Sequence, residues 1–98
     1  MNIDKVSQSG TVTSGALSVN TGTAIIGLCR QFIVEPITAS AVYTIELINS
    51  NSETVYKRES ETGFLAELLA LPLIGIYTFK VTSATEDGVY NFRLMMEI

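Results

Sequence analysis

The chain has 98 residues, the size of one domain, with 47 % apolar residues but only 16 % charged ones and a net charge of −4. Soluble domains usually carry roughly 25 % charged residues, and here Ser, Thr, Gly and Asn fill the gap. There is no histidine and a single cysteine, which excludes an internal disulfide, cysteine-built metal sites and the commonest general base.

The six basic residues are scattered, and only Lys57 and Arg58 are adjacent, among Glu53, Glu59 and Glu61. No basic face is visible, so no nucleic-acid partner is expected. Residues 1–12, "MNIDKVSQSGTV", lack the apolar stretch that follows the basic start of a signal peptide. The longest strongly apolar run, Leu68 to Phe79, contains Pro72 and Gly75 and falls far short of the ~20 residues of a membrane span. The expectation is a complete product, made and kept in a reducing cytoplasm until assembly or lysis.

In chain order, residues 1–24 hold only Asp4 and Lys5 as charges and are dense in small polar residues. They read as an arm over 1–10 followed by a short strand over 11–20, where Val12, Leu17 and Val19 sit among threonines. A disordered tail is the alternative. A single domain then spans 11–98. The run "AIIGLCRQFIVEP", residues 24–36, is apolar at both parities and suits a central strand covered on both faces. Gly27 suggests a bulge within it, and Cys29 a small buried hydrophobe. "AVYTIELIN" alternates, placing Tyr43, Ile45 and Leu47 on one face. Asn49 to Ser52 is a turn by composition. "ETVYKRES" returns as a charged edge strand.

"GFLAELLALPLIG" reads two ways. Leu, Ala and Glu favour a helix, which Pro72 limits to about two turns. As a strand, Phe64, Ala66, Leu68 and Ala70 share one face, and the strands on both sides favour this reading. The last two alternating runs are Tyr77, Phe79, Val81 and then Tyr90, Phe92, Leu94 and Met96, joined at Glu86-Asp87-Gly88. They read as a hairpin closing on Ile98. About seven short strands define an all-β antiparallel sandwich, immunoglobulin-like or jelly-roll-like.

"GIYTFKV", residues 75–81, resembles the G-x-Y-x-Φ-x-V stretch of immunoglobulin-like sandwiches, with Phe79 where antibody domains carry a cysteine. The resemblance implies that Tyr77 makes a tyrosine corner, its hydroxyl bonded to backbone just upstream, and that Leu69 is a core residue of the preceding strand. No tryptophan occurs, and Cys29 has no partner. The composition also resembles that of small accessory proteins of tailed-phage virions, which implies a structural role in a virion.

Candidate sites for chemistry are weak. Glu46 and Glu53 face each other across the 49–52 turn on this reading, and Glu67 is expected on the outer face of its strand. Neither is a convincing catalytic residue, so no enzyme activity, cofactor or metal is expected. Tyr56 is the one tyrosine in a polar setting and the sole candidate sugar platform. The structural residues are Tyr77, Phe79, Val81, Tyr90, Phe92 and Cys29. The interface residues are Leu69, Leu71, Leu73 and Met95, placed opposite the core. With a mean hydropathy of +0.35, these point to a homo-oligomer, a trimer by the phage resemblance, assembled with other virion proteins. The alternative is a small carbohydrate- or protein-binding module of adhesin type.

Overall fold

The computed structural model describes residues 3–97, and every element among them is a strand. Eight strands run as β1 (Ile3–Val12), β2 (Leu17–Asn20), β3 (Ile25–Glu35), β4 (Val42–Ile48), β5 (Thr54–Thr62), β6 (Leu65–Gly75), β7 (Thr78–Thr82) and β8 (Gly88–Glu97). They form two four-stranded sheets of order β1-β8-β3-β6 and β2-β7-β4-β5. All pairings are antiparallel.

The pairing follows one rule. β1 meets β8, β2 meets β7, β3 meets β6 and β4 meets β5. That is one long antiparallel hairpin with its tip between β4 and β5. Rolling it up brings β8 onto β3 and β7 onto β4. The result is an eight-stranded jelly roll. The immunoglobulin-like alternative is therefore set aside, because there the strand carrying the tyrosine pairs with the next strand in the same sheet.

β7 and β8 accordingly form no hairpin: they lie in opposite sheets. Their alternation is the same in either arrangement, so the sequence pattern could not separate the two. The connection after Thr82 is tied across the end of the sandwich instead. The Ala84 N–H donates to Gly15 O at 3.0 Å, and the Thr85 N–H to Val42 O at 2.9 Å. The Asp87 carboxylate accepts the N–H groups of Ser14 and Gly15 at 2.9 and 3.0 Å. The inward residues of β7 and β8 then meet face to face, with Phe79 stacked on Phe92 at 5.0 Å between centroids.

The arm expected over 1–10 is, from Ile3 onward, the edge strand β1, paired with β8 along its whole length. Met1 and Asn2 lie outside the described residues, as does Ile98. Val6, Gln8, Gly10 and Val12 take the inward, less exposed positions of β1, and its serines face water. The strand expected over 11–20 breaks at a two-residue turn. Thr13 and Ala16 exchange both backbone hydrogen bonds, and Ser14 and Gly15 both take positive φ, 53° and 78°.

β3 explains why its sequence is apolar at both parities. Ile25 and Cys29 face the core, then Phe32 and Val34 do, so the inward set switches from odd to even. The switch is a bulge at Arg30, where the register to both neighbours jumps between Cys29 and Gln31. The expected bulge at Gly27 thus lies three residues further on, and β3 is covered by the core on one face only. Ile26 on the other face is 68 % exposed.

The core is continuous from Val12 to Met96. Phe32 packs edge-on against Phe79 at 5.8 Å, and Tyr43 edge-on against Tyr90 at 5.8 Å. The buried hydroxyls are all used. Tyr43 Oη donates to Gly63 O at 2.7 Å, and Tyr90 Oη donates to Glu86 O at 2.8 Å. Gly63 has φ +70°, and a Cβ there would stand 2.6 Å from Ala39 O, so only glycine fits that corner.

Candidate protein–protein interface

The two outer faces of the sandwich differ in chemistry. On the β2-β7-β4-β5 sheet the outward residues include Ser18, Asn20, Lys80, Thr44 and Glu46, all polar. The edge strand β5 adds Lys57, Arg58, Glu59 and Glu61. Lys57 bridges Glu46 and Glu59 at 3.3 and 3.1 Å, and Arg58 bridges Glu61 and Glu67 at 3.4 and 2.8 Å. The neighbouring carboxylates of Glu59 and Glu46 raise the Lys57 pKa.

The other sheet is different on its β3–β6 half. β6 is a strand, as favoured over the helix, and every even-numbered residue from 64 to 74 points outward. These are Phe64, Ala66, Leu68, Ala70, Pro72 and Ile74, without one polar group. Leu68 is 79 %, Ile74 73 % and Phe64 62 % exposed. Ile26 of β3 lies directly across from Ile74, and Leu28 across from Pro72. The strip is therefore about 33 Å long on β6 and widens onto β3 at Ile26 and Leu28, while the outward Arg30 and Gln31 of β3 border it beside Leu68.

This corrects the interface residues expected from sequence. Leu69, Leu71 and Leu73 occupy the inward face of β6: Leu73 is buried, and Leu69 and Leu71 pack partly against the core. Counting period two from the buried Leu65 gives this parity. Met95 does point outward on β8, half-buried beside Gln31. Tyr77, Phe79, Val81, Tyr90, Phe92 and Cys29 all lie in the core. The Ile74 N–H donates to Tyr77 Oη at 3.0 Å, a backbone contact three residues upstream. Burial raises the Cys29 thiol pKa, and its Sγ lies 3.5 Å from Gln31 O.

The candidate chemical residues are dispersed. Glu46 sits opposite Lys57, not Glu53, because the β4–β5 register pairs Ile48 with Thr54. Glu53 instead caps the turn, accepting from Asn49 Nδ2 at 3.0 Å. Glu67 is not on the outer face of β6. It turns to the open side of the sandwich, where it accepts from Tyr56 Oη at 2.6 Å and Arg58 at 2.8 Å. Tyr56 is no sugar platform, for its ring packs on Phe32 at 5.0 Å. Burial first, then the Glu67 carboxylate, raises its phenol pKa. Among the described residues no three His, Cys, Asp or Glu side chains converge as metal ligands, and no helix is long and apolar enough to cross a membrane. A shallow groove of about 660 Å³ runs between β1 and the 21–24 turn, bordered by Gln8, Thr21 and Ile26.

No protein-family model matches the chain, and neither does any curated protein sequence. Among solved structures the chain is similar to an infectious bursal disease virus VP2 subviral particle, at TM-score 0.38 and 12 % identity over 98 % of this chain and 33 % of that one. The Gt strain of the same virus gives 0.39 and 12 % over 98 % and 33 %, and the Gx strain 0.39 and 11 % over 98 % and 32 %. The chain spans about a third of the length of these proteins. The jelly-roll order of the strands stands independently of these likenesses.

Proposed function

We propose that the protein is a non-enzymatic structural protein that acts through protein–protein contacts, as a homo-oligomer within a larger assembly. The observation that carries this reading is the apolar outer face of β6, continued on β3 by Ile26 and Leu28, set against a mostly polar opposite face. Soluble monomers seldom expose contiguous apolar patches beyond a few hundred Å², and larger ones mark interaction sites. Double-sheet jelly rolls build viral capsid domains as well as lectins, and fold alone does not choose between them. The composition favours the first: uncharged polar residues are cheap to desolvate at contacts. We place the protein in a virion, as a capsid decoration or a head or tail component of a tailed phage, made in the host cytoplasm. The lectin-like alternative loses its one aromatic candidate, since Tyr56 is held by Phe32 and Glu67.

The test is to raise antibody against the recombinant protein and probe purified particles from the source culture. The expected result is a band that sediments with particles and stays after high-salt washing. Protein found wholly in the soluble fraction overturns the virion assignment.

A further inference from the structure

We infer that the β3–β6 outer face is the seat of a second copy of this chain, docked face to face about a two-fold axis. This rests on the reading of the protein as self-associating, and names the surface, the partner and the symmetry.

Three observations converge. The first is area. Leu68, Ile74, Ile26 and Phe64 are each more than 60 % exposed. Taking roughly 150 Å² for a large apolar side chain in the open, the four present on the order of 400 Å² to water. Alanine, proline and the half-covered Leu28 bring the strip to about 600 Å² per copy, or about 1,200 Å² for the pair. That reaches the lower bound of specific interfaces, which bury ~1,200–2,000 Å² in total.

The second is charge. The chain carries −4 overall, so two copies repel unless the acidic surface is kept apart. The outward face of the β1-β8-β3-β6 sheet carries Lys5, Arg30 and Arg93 against Glu35 and Glu97. Arg30 is paired with Glu97 at 3.6 Å, and Arg93 with Glu35. The other sheet is balanced, Glu46, Glu59 and Glu61 against Lys57, Arg58 and Lys80, and the negative excess lies in the loops, at Glu53, Glu86 and Asp87, and at Asp4 and Glu67, which are not on the outward face. In an isologous contact each patch meets itself, which a neutral strip with internally paired flanks tolerates and a charged one does not.

The third is the contrast between neighbouring edge strands. β5 bears Lys57, Arg58, Glu59 and Glu61, which discourage contact with another chain. β6 is the longer strand at eleven residues, and its one charged residue, Glu67, is turned away from the strip and held by Tyr56 and Arg58. Two such faces stack as aligned sheets do, about 10 Å apart, with Leu68 near the middle of the contact.

The experiment is sedimentation equilibrium over a concentration series, on the native protein and on Leu68→Glu, Ile26→Glu and Ser18→Glu. The native protein is expected to show a reversible dimer of twice 10.6 kDa. Leu68→Glu and Ile26→Glu place a charge in the strip and raise the concentration needed for dimers by at least about thirty-fold, the size of an interface hot spot. Ser18→Glu adds the same charge on the opposite face and leaves the association unchanged. All three side chains point to water, so far-UV circular dichroism and the protection of Cys29 check that each variant is folded. A native monomer at all concentrations overturns the proposal. So does a dimer that Leu68→Glu leaves intact, or a trimer, which rejects the two-fold while leaving the structural role to be judged by the particle experiment.

Discussion

Replacing Tyr77 by phenylalanine removes a single oxygen from a knot that joins three parts of the fold. The Tyr77 backbone is fixed to the β2–β3 connection twice. Thr21 N–H donates to Tyr77 O at 2.8 Å, and Tyr77 N–H donates to Thr21 Oγ1 at 3.3 Å. Its hydroxyl accepts from Ile74 N–H at 3.0 Å, which pins the end of β6 to the start of β7. The ring is 5 % exposed and stays in place in the variant. The cost is therefore that of leaving the Ile74 N–H without its acceptor, about 1–3 kcal/mol for a buried donor. Ile74 itself is 73 % exposed, so water reaches that N–H in part and the expected loss is at the low end, about 1 kcal/mol. With an unfolding entropy of about 2.1 cal/mol/K per residue, a chain of 98 residues loses about 5 °C in Tm for that change. Urea titration followed by tyrosine fluorescence reads the same loss as a lower midpoint with an unchanged slope. A change below about 0.3 kcal/mol would refute the reasoning, because the hydroxyl would then contribute nothing to the join between the sheets.

Cys29 is expected to react with a thiol reagent far more slowly in the native protein than in denaturant, since it is fully buried and burial raises its pKa; labelling at the free-cysteine rate contradicts this. Stability is expected to fall at alkaline pH. The folded state raises the pKa of the Tyr43 phenol by burial and then by Glu61, and that of Tyr56 by burial and then by Glu67. A folded pKa above the unfolded one means that the unfolded chain loses its proton first, so the stabilisation is complete below about pH 10 and is lost as pH rises past it. Chemical denaturation at successive pH values should show this slope, shallower in Tyr43→Phe; a flat profile to pH 11 sinks the argument.

Much of this fold is written in period two. Tyr43, Ile45 and Leu47 alternate against Thr44 and Glu46, and the structure buries those three. The charges of β5 mark an edge, and β5 is one. What alternation does not contain is which strand lies beside which. Phe79 and Phe92 read alike as neighbours in one sheet or as opposite walls of a core, and the clasp made by Thr85 and Asp87 decides it. Nor does alternation survive a bulge. Arg30 reverses the inward set in β3, so that one covered face looked like two. In β1 the apolar signal was thin, one valine in the first ten residues, and pairing with β8 supplies the order that the side chains alone do not announce. Of the expected interface residues, Met95 points outward, while Leu69, Leu71 and Leu73 are off by one position. In a strand that is apolar at every site but Glu67, parity is undetermined until Leu65 or Leu73 is seen to be buried.

That uniformity is itself informative about β6. A strand needs its inward residues apolar, and Leu65, Leu69, Leu71 and Leu73 meet that need. Nothing in the fold requires the same of the outward ones. β7 packs Phe79 and Val81 inward while carrying Thr78, Lys80 and Thr82 outward, and it is the more central strand. Outward Thr or Lys at positions 68 and 74 would keep the backbone pairing to β3 and remove an exposed apolar surface. Exposed Leu68, Ile74 and Ile26 thus contribute little to the folded monomer and make it less soluble, whereas covering them returns roughly 25 cal/mol per Å². The stability of the chain and the purpose of this face are separable. Leu68→Glu is accordingly expected to leave the denaturation midpoint of dilute protein within about 0.5 kcal/mol of the native value, as surface substitutions do, while weakening contact between copies at least about thirty-fold.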